Sequence, residues 1–488
     1  MSALPTLSPI WVVLIPFIGA AAIAASHNHP KLRDGFGWLA SIAFFIAVCG
    51  HIEPTLSGNG ATQTFGELLP GVSIGFAVEP LGLLFALIGA SLWLVATLYA
   101  QSYMSHMNYP HLARFFACYA IALGAAAGIA FSANLLTLFI FYEVLTLSTY
   151  PLVTHSGSEE ARRGGRVYLF YLLASSIGLL LPAIIWTYAA TGTLDFQSGG
   201  IISGQVAPHW IPILLGLFAF GIGKAALMPF HKWLPSAMVA PAPVSALLHA
   251  VAVVKAGVFT ILKVAIFVFG IETLQATGAG IWIAWMGAFT IVAASLVALT
   301  LDDFKARLAY STVAQLSYVI VGAMVATPLA VIGAVMQMAM HAVAKITLFF
   351  SAGAIQVASN RKKIQQFDGL GRVMPYTFTF MTIGILSIIG LPIFGGMWSK
   401  WYLLLGSLEA EQWIVVGALL VSSLLNILYL LIIPIRGFFA PAAEGVPTEG
   451  LHEAPLPQRF AMGITAGACV VLFFYPEPLF ELAKGLVS

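Results

Sequence analysis

Residues 223–257 read GKAALMPFHKWLPSAMVAPAPVSALLHAVAVVKAG and join two long apolar stretches across a proline-rich connection. Lys224 lies five residues before Pro229, and Lys255 lies about midway along the second apolar stretch, six residues after His249. A lysine at the centre of a helix surrounded by lipid costs about 2.5–3.5 kcal/mol on insertion scales. The two lysines therefore indicate a membrane protein whose interior shelters charged groups from lipid.

The composition of the whole chain supports this interpretation. Of 488 residues, 60% are hydrophobic and only 8% are charged, whereas soluble domains carry about 25% charged residues. The net charge of +2 gives no indication of nucleic-acid binding. Cys49, Cys118 and Cys469 are far apart in the sequence and lack the paired spacing of a metal site or a disulfide framework. No phosphate-binding glycine motif or HExxH is present. We expect a single membrane domain over residues 1–488, with no cofactor, no bound metal and no nucleic-acid partner.

Stretches of about 20 apolar residues are long enough to cross a bilayer as helices. The chain contains fourteen such candidates, the first of which we expect to be retained rather than cleaved because no basic flank precedes it and no small-residue cleavage site follows. The predicted spans are 8–26, 35–52, 76–100, 113–131, 134–155, 166–191, 209–230, 242–268, 279–300, 308–326, 328–358, 375–405, 411–433 and 457–480.

The distribution of basic residues provides an independent check on this count. Fifteen of the 21 lysines and arginines fall in the loops that follow odd-numbered spans. Cytoplasmic loops are enriched in lysine and arginine. The alternation predicts that the odd-numbered loops face the cytoplasm and that both termini lie on the opposite side.

Few charged residues fall inside the predicted spans. Lys263 and Glu79 lie near span ends, where snorkelling and interfacial anchoring are the simpler interpretations. The deep polar residues are Glu143, Lys224, Lys255 with His249, Lys345 with His341 four residues earlier, and Lys400. Because such residues normally face a bundle interior or a hydrated cavity, the sequence predicts a polar line through the midplane.

Two spans are interrupted beside a lysine. Span seven meets Pro229 and Pro235 near Lys224, and span twelve contains Gly390, Pro392 and Gly395 before Lys400. Transporters place broken helices at equivalent positions of inverted repeats, where freed backbone groups line the ion site. The offset of five spans predicts two inverted five-helix repeats over residues 113–268 and 279–433 of an all-α membrane fold.

Several motifs resemble one membrane-protein family. They are FYEVLTLSTYPL around Glu143, the opening stretch from residue 223, DFKARLAYSTVAQLSY from Asp303, MHAVAKITLFFSAG from Met340 and GLPIFGGMWSKWYLL from Gly390. In this order they are similar to the antiporter-like subunits of Mrp-type multisubunit cation/proton antiporters, respiratory complex I and membrane-bound hydrogenases. The resemblance implies 14 helices with inverted five-helix repeats. Chain length and the lysine set look most like a D-type Mrp subunit, whereas HAVAVVKAG looks closer to the A-type subunit and to the distal complex I versions.

The resemblance also implies roles for the deep polar residues. Glu143 matches the family's acid, Lys224 its partner lysine, and Lys255 and Lys345 its central proton-relay lysines. His249 and His341 match accompanying polar sites, and Lys400 matches the terminal position. The implied function is proton translocation in a multisubunit Na⁺/proton antiporter of the bacterial inner membrane. Its partners would be protons, a monovalent cation and other membrane subunits.

Other functions remain open from the sequence. A proton-pumping subunit of a redox-driven complex, complex I-like or hydrogenase-like, would share these residues. A membrane enzyme could hold a metal at Asp302 and Asp303, although Lys305 and Arg307 follow closely and favour an ordinary solvated loop. A structural scaffold would have no need of buried lysines, so tolerance of their substitution would favour it.

Overall fold

The computed structural model describes residues 6–447 and 450–487 and is mostly helical. Its longer helical segments are Pro9–Ala25, Pro30–Cys49, Pro80–His106, Leu112–Ala130, Leu135–Val153, Glu159–Thr191, Pro208–Gly221, Ala242–Phe269, Ile281–Thr300, Phe304–Val325, Pro328–Ser359, Pro375–Ile389, Gly396–Glu409, Trp413–Phe439 and Leu456–Phe474. Short helices are Ile52–Leu56, Gly223–Ala225, Trp233–Ser236, Ala237–Val239, Ile271–Thr277, Ile364–Phe367, Leu370–Val373 and Glu477–Lys484.

Length and composition identify the helices that are able to cross a membrane. Within the described residues, 11 helices are long and apolar enough, and three more apolar helices are shorter: Pro9–Ala25, Pro208–Gly221 and Pro375–Ile389. The multi-span membrane architecture is therefore confirmed. The count of fourteen spans and the limits of the two repeats stay predictions.

One part of the fold is not helical, so the all-α prediction was incomplete. Strands Thr62–Leu69 and Val72–Ala77 form an antiparallel hairpin between the second and third predicted spans. The chain reverses at Pro70 and Gly71, where Gly71 has a φ of +71° that a glycine adopts without steric cost. No strands were predicted for this segment, which falls almost entirely between the predicted spans 35–52 and 76–100.

Loops from alternate connections meet at opposite ends of the bundle. One cavity of about 450 Å³ brings together Tyr109, Glu160, Pro241, Lys305 and Lys362, which belong to five successive odd-numbered loops or their edges. A second cavity of about 570 Å³ is lined by residues of even-numbered loops and of the C-terminal segment, including Glu79, Ser198, Glu272, Pro328 and Val487. The basic loops therefore share one end of the molecule, as the charge alternation predicted. Which end faces the cytoplasm stays a prediction.

Both predicted helix interruptions are present. Pro208–Gly221 ends before a short 3₁₀ turn at Gly223–Ala225, and the chain then passes through a cis peptide at Met228–Pro229. Pro375–Ile389 ends at Gly390, whose φ is +88°, and the helix resumes at Gly396–Glu409. The first lysine, Lys224, lies within its break, whereas Lys400 lies one turn inside the resumed helix.

Further irregularities were not predicted. The helix Ala242–Phe269, here called the Lys255 helix, contains π-helical segments at Leu247–Val251 and Val264–Phe269 and a bend at Ala252. This helix is buried along its whole length by its neighbours. π-Helical turns often occur at functional sites, and the first of these two segments carries His249.

Candidate functional site

Lys224 is anchored to the helix that carries Glu143, Leu135–Val153. Its Nζ donates to Tyr142 O at 2.9 Å and to Thr146 Oγ1 at 2.6 Å, and it lies 3.2 Å from the centroid of the Tyr142 ring. The carboxylate of Glu143 does not contact it. The ammonium group is therefore held by a carbonyl, a hydroxyl and an aromatic face rather than by the direct charge pair that the sequence suggested.

Glu143 lies on the outer side of the same helix. The residue is half-buried, and its two carboxylate oxygens are shielded from solvent without a hydrogen-bond partner in the described part of the chain. Leu147, one turn further along the same face, is largely exposed. The Glu143 carboxylate is therefore buried and without direct contact to Lys224, and any coupling between the two acts across space or through water.

The backbone of the Lys224 turn is fixed by three neighbours. Tyr142 Oη accepts from Lys224 N at 3.1 Å, and Trp233 Nε1 donates to Gly223 O at 2.9 Å. A Cβ on Gly257 of the Lys255 helix would lie 2.3 Å from Lys224 C, so glycine is required for this close approach. The Lys224 turn is thus packed directly on the helix that carries Lys255.

The central contact of the site joins Lys255 and His341. Lys255 Nζ lies 2.5 Å from His341 Nδ1, and both residues are buried. His341 belongs to Pro328–Ser359, here called the Lys345 helix. At this distance two positive charges would repel strongly, so the contact favours a pair in which at most one of the two groups is charged. His341 Nε2 has no hydrogen-bond partner in the described chain.

His249 forms a second contact between the same two helices. Its ring lies 4.6 Å from the ring centroid of Phe349 and has no hydrogen-bond partner in the described residues. The two contacts, His249 with Phe349 and Lys255 with His341, show that the helices run antiparallel here. Lys345 therefore lies at a level between Lys255 and His249.

Lys345 reaches a third helix, Phe304–Val325. Its Nζ donates to Ser311 Oγ at 2.7 Å and to Leu308 O at 3.2 Å. No carboxylate lies within 4 Å of the amines of Lys224, Lys255, Lys345 or Lys400 in the described chain. These lysines are satisfied by neutral acceptors, an arrangement that allows an amine to release its proton without leaving a stranded carboxylate.

A group of polar side chains links this centre to Lys400. Gln337, one turn before His341, donates through Nε2 to Gln315 Oε1 at 2.9 Å. Ser399 Oγ donates to Gln337 Oε1 at 2.5 Å and directly precedes Lys400 in the chain. Gln315, Gln337 and Ser399 therefore form a bridge, here called the glutamine bridge, toward the second helix break.

Lys400 lies beside that break and beside a lateral cavity. Its Nζ donates to Ile389 O at 3.0 Å, the last residue before the break, and lies 3.5 Å from Ser423 Oγ. The cavity has a volume of about 510 Å³ and is lined mainly by apolar residues, including Tyr318, Trp401, Leu420 and Leu424. The freed carbonyl of a broken helix thus binds a charged group, as expected for such interruptions.

The interpretation of Lys263 and Glu79 as separate interfacial residues was wrong. Lys263 is 1% exposed and its Nζ lies 2.5 Å from Glu79 Oε1. The amine also donates to Ser132 O at 2.9 Å and lies 4.5 Å from the centroid of the Phe196 ring. Helix packing closes over the lysine from three sides, so its amine finds a carboxylate inside the protein instead of snorkelling.

Asp302 and Asp303 have structural partners that account for them. Asp303 Oδ1 accepts from Ala306 N at 2.8 Å and caps the helix Phe304–Val325, and Asp302 Oδ1 accepts from Gln365 N at 3.2 Å. The described residues contain no group of three or more potential metal ligands among His, Cys, Asp and Glu. The pair therefore gives no support to a metal-dependent enzyme.

Four contributors to the site were not predicted from the sequence. Tyr142 and Thr146 stand beside and one turn after Glu143, and Gln337 stands one turn before His341. These three residues lie beside, or one helical turn from, a deep polar residue, and that spacing could have predicted them. Ser399 carries no comparable signal, because its bond to Gln337 joins residues 62 positions apart.

These features define a polytopic helical membrane protein with a line of buried lysines and histidines running through broken helices. Residues 132–426 match the family model described as NADH:quinone oxidoreductase/Mrp antiporter, transmembrane. The chain belongs to this family, as an antiporter-like membrane subunit.

Individual relatives come from both branches of the family. The chain is 30% identical to NADH-quinone oxidoreductase subunit N of Desulforudis audaxviator, covering 98% of this chain and 94% of that protein. It is 29% identical to the A-type subunit of the Na⁺/H⁺ antiporter of Alkalihalophilus pseudofirmus, covering 96% of this chain but only 61% of that protein. The Mrp complex from Dietzia sp. contains a chain of the same fold, with a TM-score of 0.86, 21% identity and coverage of 98% and 96%.

Proposed function

We propose that this chain is a proton-translocating subunit of a multisubunit monovalent cation/proton antiporter, with Na⁺ as the exchanged cation. Protons would move along Glu143, Lys224, Lys255 with His249, His341, Lys345 and Lys400. The chain itself would be a transporter subunit rather than an enzyme, assembled with other membrane subunits in the bacterial inner membrane. The D-type assignment belongs to this proposal, since the relatives described above are N-type and A-type subunits.

The contact between Lys255 and His341 carries the proposal. Two bases 2.5 Å apart in a buried site are able to exchange a proton without a large movement of either helix. Lys345, one turn from His341, and the glutamine bridge extend the polar path toward Lys400.

The other end of the path supports the same function. Lys224 packs on the Lys255 helix and rests on neutral acceptors. Because the Glu143 carboxylate stands nearby without contact, a change in its charge or in its distance would alter the proton affinity of the Lys224 amine. A pKa difference of a single unit corresponds to about 1.36 kcal/mol, so small rearrangements would suffice to reverse the favoured direction of transfer.

Replacement of Lys255 tests this function. The native complex carrying Lys255→Met, reconstituted in vesicles, should retain its subunits and lose proton transport measured with a pH-sensitive dye. Lys255→Arg should fail as well, because an arginine stays protonated. Lys232→Met, at an exposed loop lysine, is the matched control and should transport at the parental rate. Transport by the Lys255→Met complex at that rate would refute the assignment.

A redox-driven complex is the second candidate function. It is favoured by the similarity to subunit N of NADH-quinone oxidoreductase over nearly the full length of both chains. The driving force separates the two candidates. Under the antiporter proposal a Na⁺ gradient alone acidifies or alkalinises vesicles, whereas a redox complex requires an electron donor and copurifies with iron–sulfur proteins.

A further inference from the structure

A cavity of about 310 Å³ opens at the end of the bundle that carries the basic loops. Two guanidinium groups, from Arg307 and Arg436, line it together with Asp302 and Gln365. Arg307 lies in the first turn of Phe304–Val325, and Arg436 lies in the last turn of Trp413–Phe439. Both arginines therefore stand at the level where membrane helices end.

Arg307 is positioned without a carboxylate partner. It is 8% exposed, and its guanidinium donates to the carbonyls of Leu301 and Tyr429, the latter at 2.9 Å. No carboxylate oxygen lies within 4 Å of it in the described chain. A nearly buried guanidinium that is oriented by carbonyls keeps its positive charge and its remaining N–H groups available to an anion.

The other charges of the cavity limit the anion that it accepts. Arg436 is paired with Asp368 at 2.6 Å and 2.7 Å, and the Asp302 carboxylate also lines the cavity while accepting from Gln365 N. These four charges cancel, and within the described chain Arg307 is the cavity guanidinium that no carboxylate contacts directly. A singly charged phosphodiester fits this balance better than a doubly charged free phosphate.

An apolar stripe leads from the cavity along the membrane-facing side of the same helix. Ile432 and Leu428, four and eight residues before Arg436, line the cavity and are 39% and 60% exposed. Leu424, four residues before Leu428, is 64% exposed and continues the stripe. A charged headgroup site directly above such a stripe has the shape and polarity of a phospholipid.

We propose that this cavity binds the phosphodiester headgroup of an anionic phospholipid, with an acyl chain lying along Ile432, Leu428 and Leu424. Basic pockets between membrane helices are typical sites for anionic headgroups. The stripe passes Leu424, which also lines the Lys400 cavity. The bound lipid would therefore cover that cavity on its lateral side. Lipid binding at this cavity does not depend on whether the buried lysines carry protons.

Lipid binding to the delipidated native complex tests the proposal. Native mass spectrometry during titration with phosphatidylglycerol should show one site that Arg307→Gln and Arg436→Gln each weaken about tenfold, as expected for the loss of a charge-assisted contact. Ile432→Gln, which leaves the Arg436–Asp368 pair intact, should weaken the same site. Arg361→Gln, at an arginine outside the cavity that binds loop carbonyls, should bind like the parent.

Titrations with other ligands distinguish an anionic lipid from other occupants of the cavity. Phosphatidylcholine and inorganic phosphate should each bind at least about tenfold more weakly than phosphatidylglycerol, because one lacks net charge and the other lacks the chain. Unchanged phosphatidylglycerol binding in both Arg307→Gln and Ile432→Gln would overturn the proposal. Equal binding of inorganic phosphate would overturn it too, as would a neighbouring subunit that covers the stripe in the intact complex.

Discussion

Among the individual residues of the site, the buried lysine amines are hydrogen-bonded by neutral acceptors. Lys224 illustrates this, since its amine is bound by Tyr142 O and Thr146 Oγ1 and not by Glu143. Hydrogen bonds to charged groups contribute about 1.5–3 kcal/mol. Removing such an acceptor changes the energy of the charged form directly, and with it the rate of any proton transfer through the lysine.

Thr146→Val removes one acceptor while conserving the shape of the side chain. We expect proton transport by the reconstituted complex to fall about tenfold or more, in line with the loss of a hydrogen bond to a charged group. Thr149→Val is the matched control, because Thr149 lies one turn further and binds Tyr168 Oη instead of Lys224. Equal rates for Thr146→Val and Thr149→Val would contradict the assigned role of Lys224.

His155 provides a residue-level prediction about stability. It is buried just beyond the helix Leu135–Val153, and burial together with the nearby positive charge of Arg114 lowers its pKa from 6.5 to about 4. The unfolded chain therefore binds this proton more readily than the folded one. Stability is fully retained above pH 6.5 and falls as the pH decreases toward 4.

The thermal unfolding midpoint of the detergent-solubilised protein, measured between pH 7.5 and pH 4, checks this expectation. His155→Phe should reduce the acid-induced decrease, since a phenyl ring fits beside Tyr109 and Phe115 and binds no proton. His27→Phe, at an exposed loop position, should leave the decrease unchanged. A parental pH profile in His155→Phe would show that His155 does not contribute.

At the scale of elements, the close packing of helices positions the lysines. Gly257 allows the Lys255 helix to approach the Lys224 turn, where a Cβ would lie 2.3 Å from both Ala225 N and Lys224 C. Both of these atoms belong to backbone, so the turn itself would have to move. Inserting even one methyl group into such a contact costs about 1–3 kcal/mol.

Gly257→Ala is therefore expected to lower both the thermal midpoint and the transport rate. Gly417→Ala is the control, because no atom lies within 4 Å of the added Cβ and alanine favours the helix. Thermal melts and vesicle transport of the two variants provide the comparison. Parental transport in Gly257→Ala would mean that the spacing of the Lys224 turn and the Lys255 helix does not matter.

The elements also show what the sequence was able to predict. Apolar stretches of about 20 residues and the prolines and glycines near Lys224 and Lys400 indicated the helices and both breaks, since these are local properties of the chain. The π-helical segment around His249 and the hairpin Thr62–Ala77 were not predicted. The first depends on packing against other helices, and the second on pairing between short strands.

For the molecule as a whole, sequence patterns predicted which charged residues lie deep in the membrane domain. They did not predict which residues contact them. The alternation of basic loops predicted which loops meet, and the two end cavities agree with it. The Lys255–His341 contact, the Lys263–Glu79 pair and the glutamine bridge join residues far apart in the chain. Their formation depends on helix arrangement, which no single stretch of sequence specifies.

Under the function proposed above, protons cross the molecule laterally through these buried bases. A cryo-EM map of the native complex in lipid, at a resolution that shows water, would reveal such a path. We predict ordered waters that connect Lys224 to Lys255 and His341, and Lys345 through the glutamine bridge to Lys400. Dry apolar packing between these groups, with no water joining one amine to the next, would contradict the account.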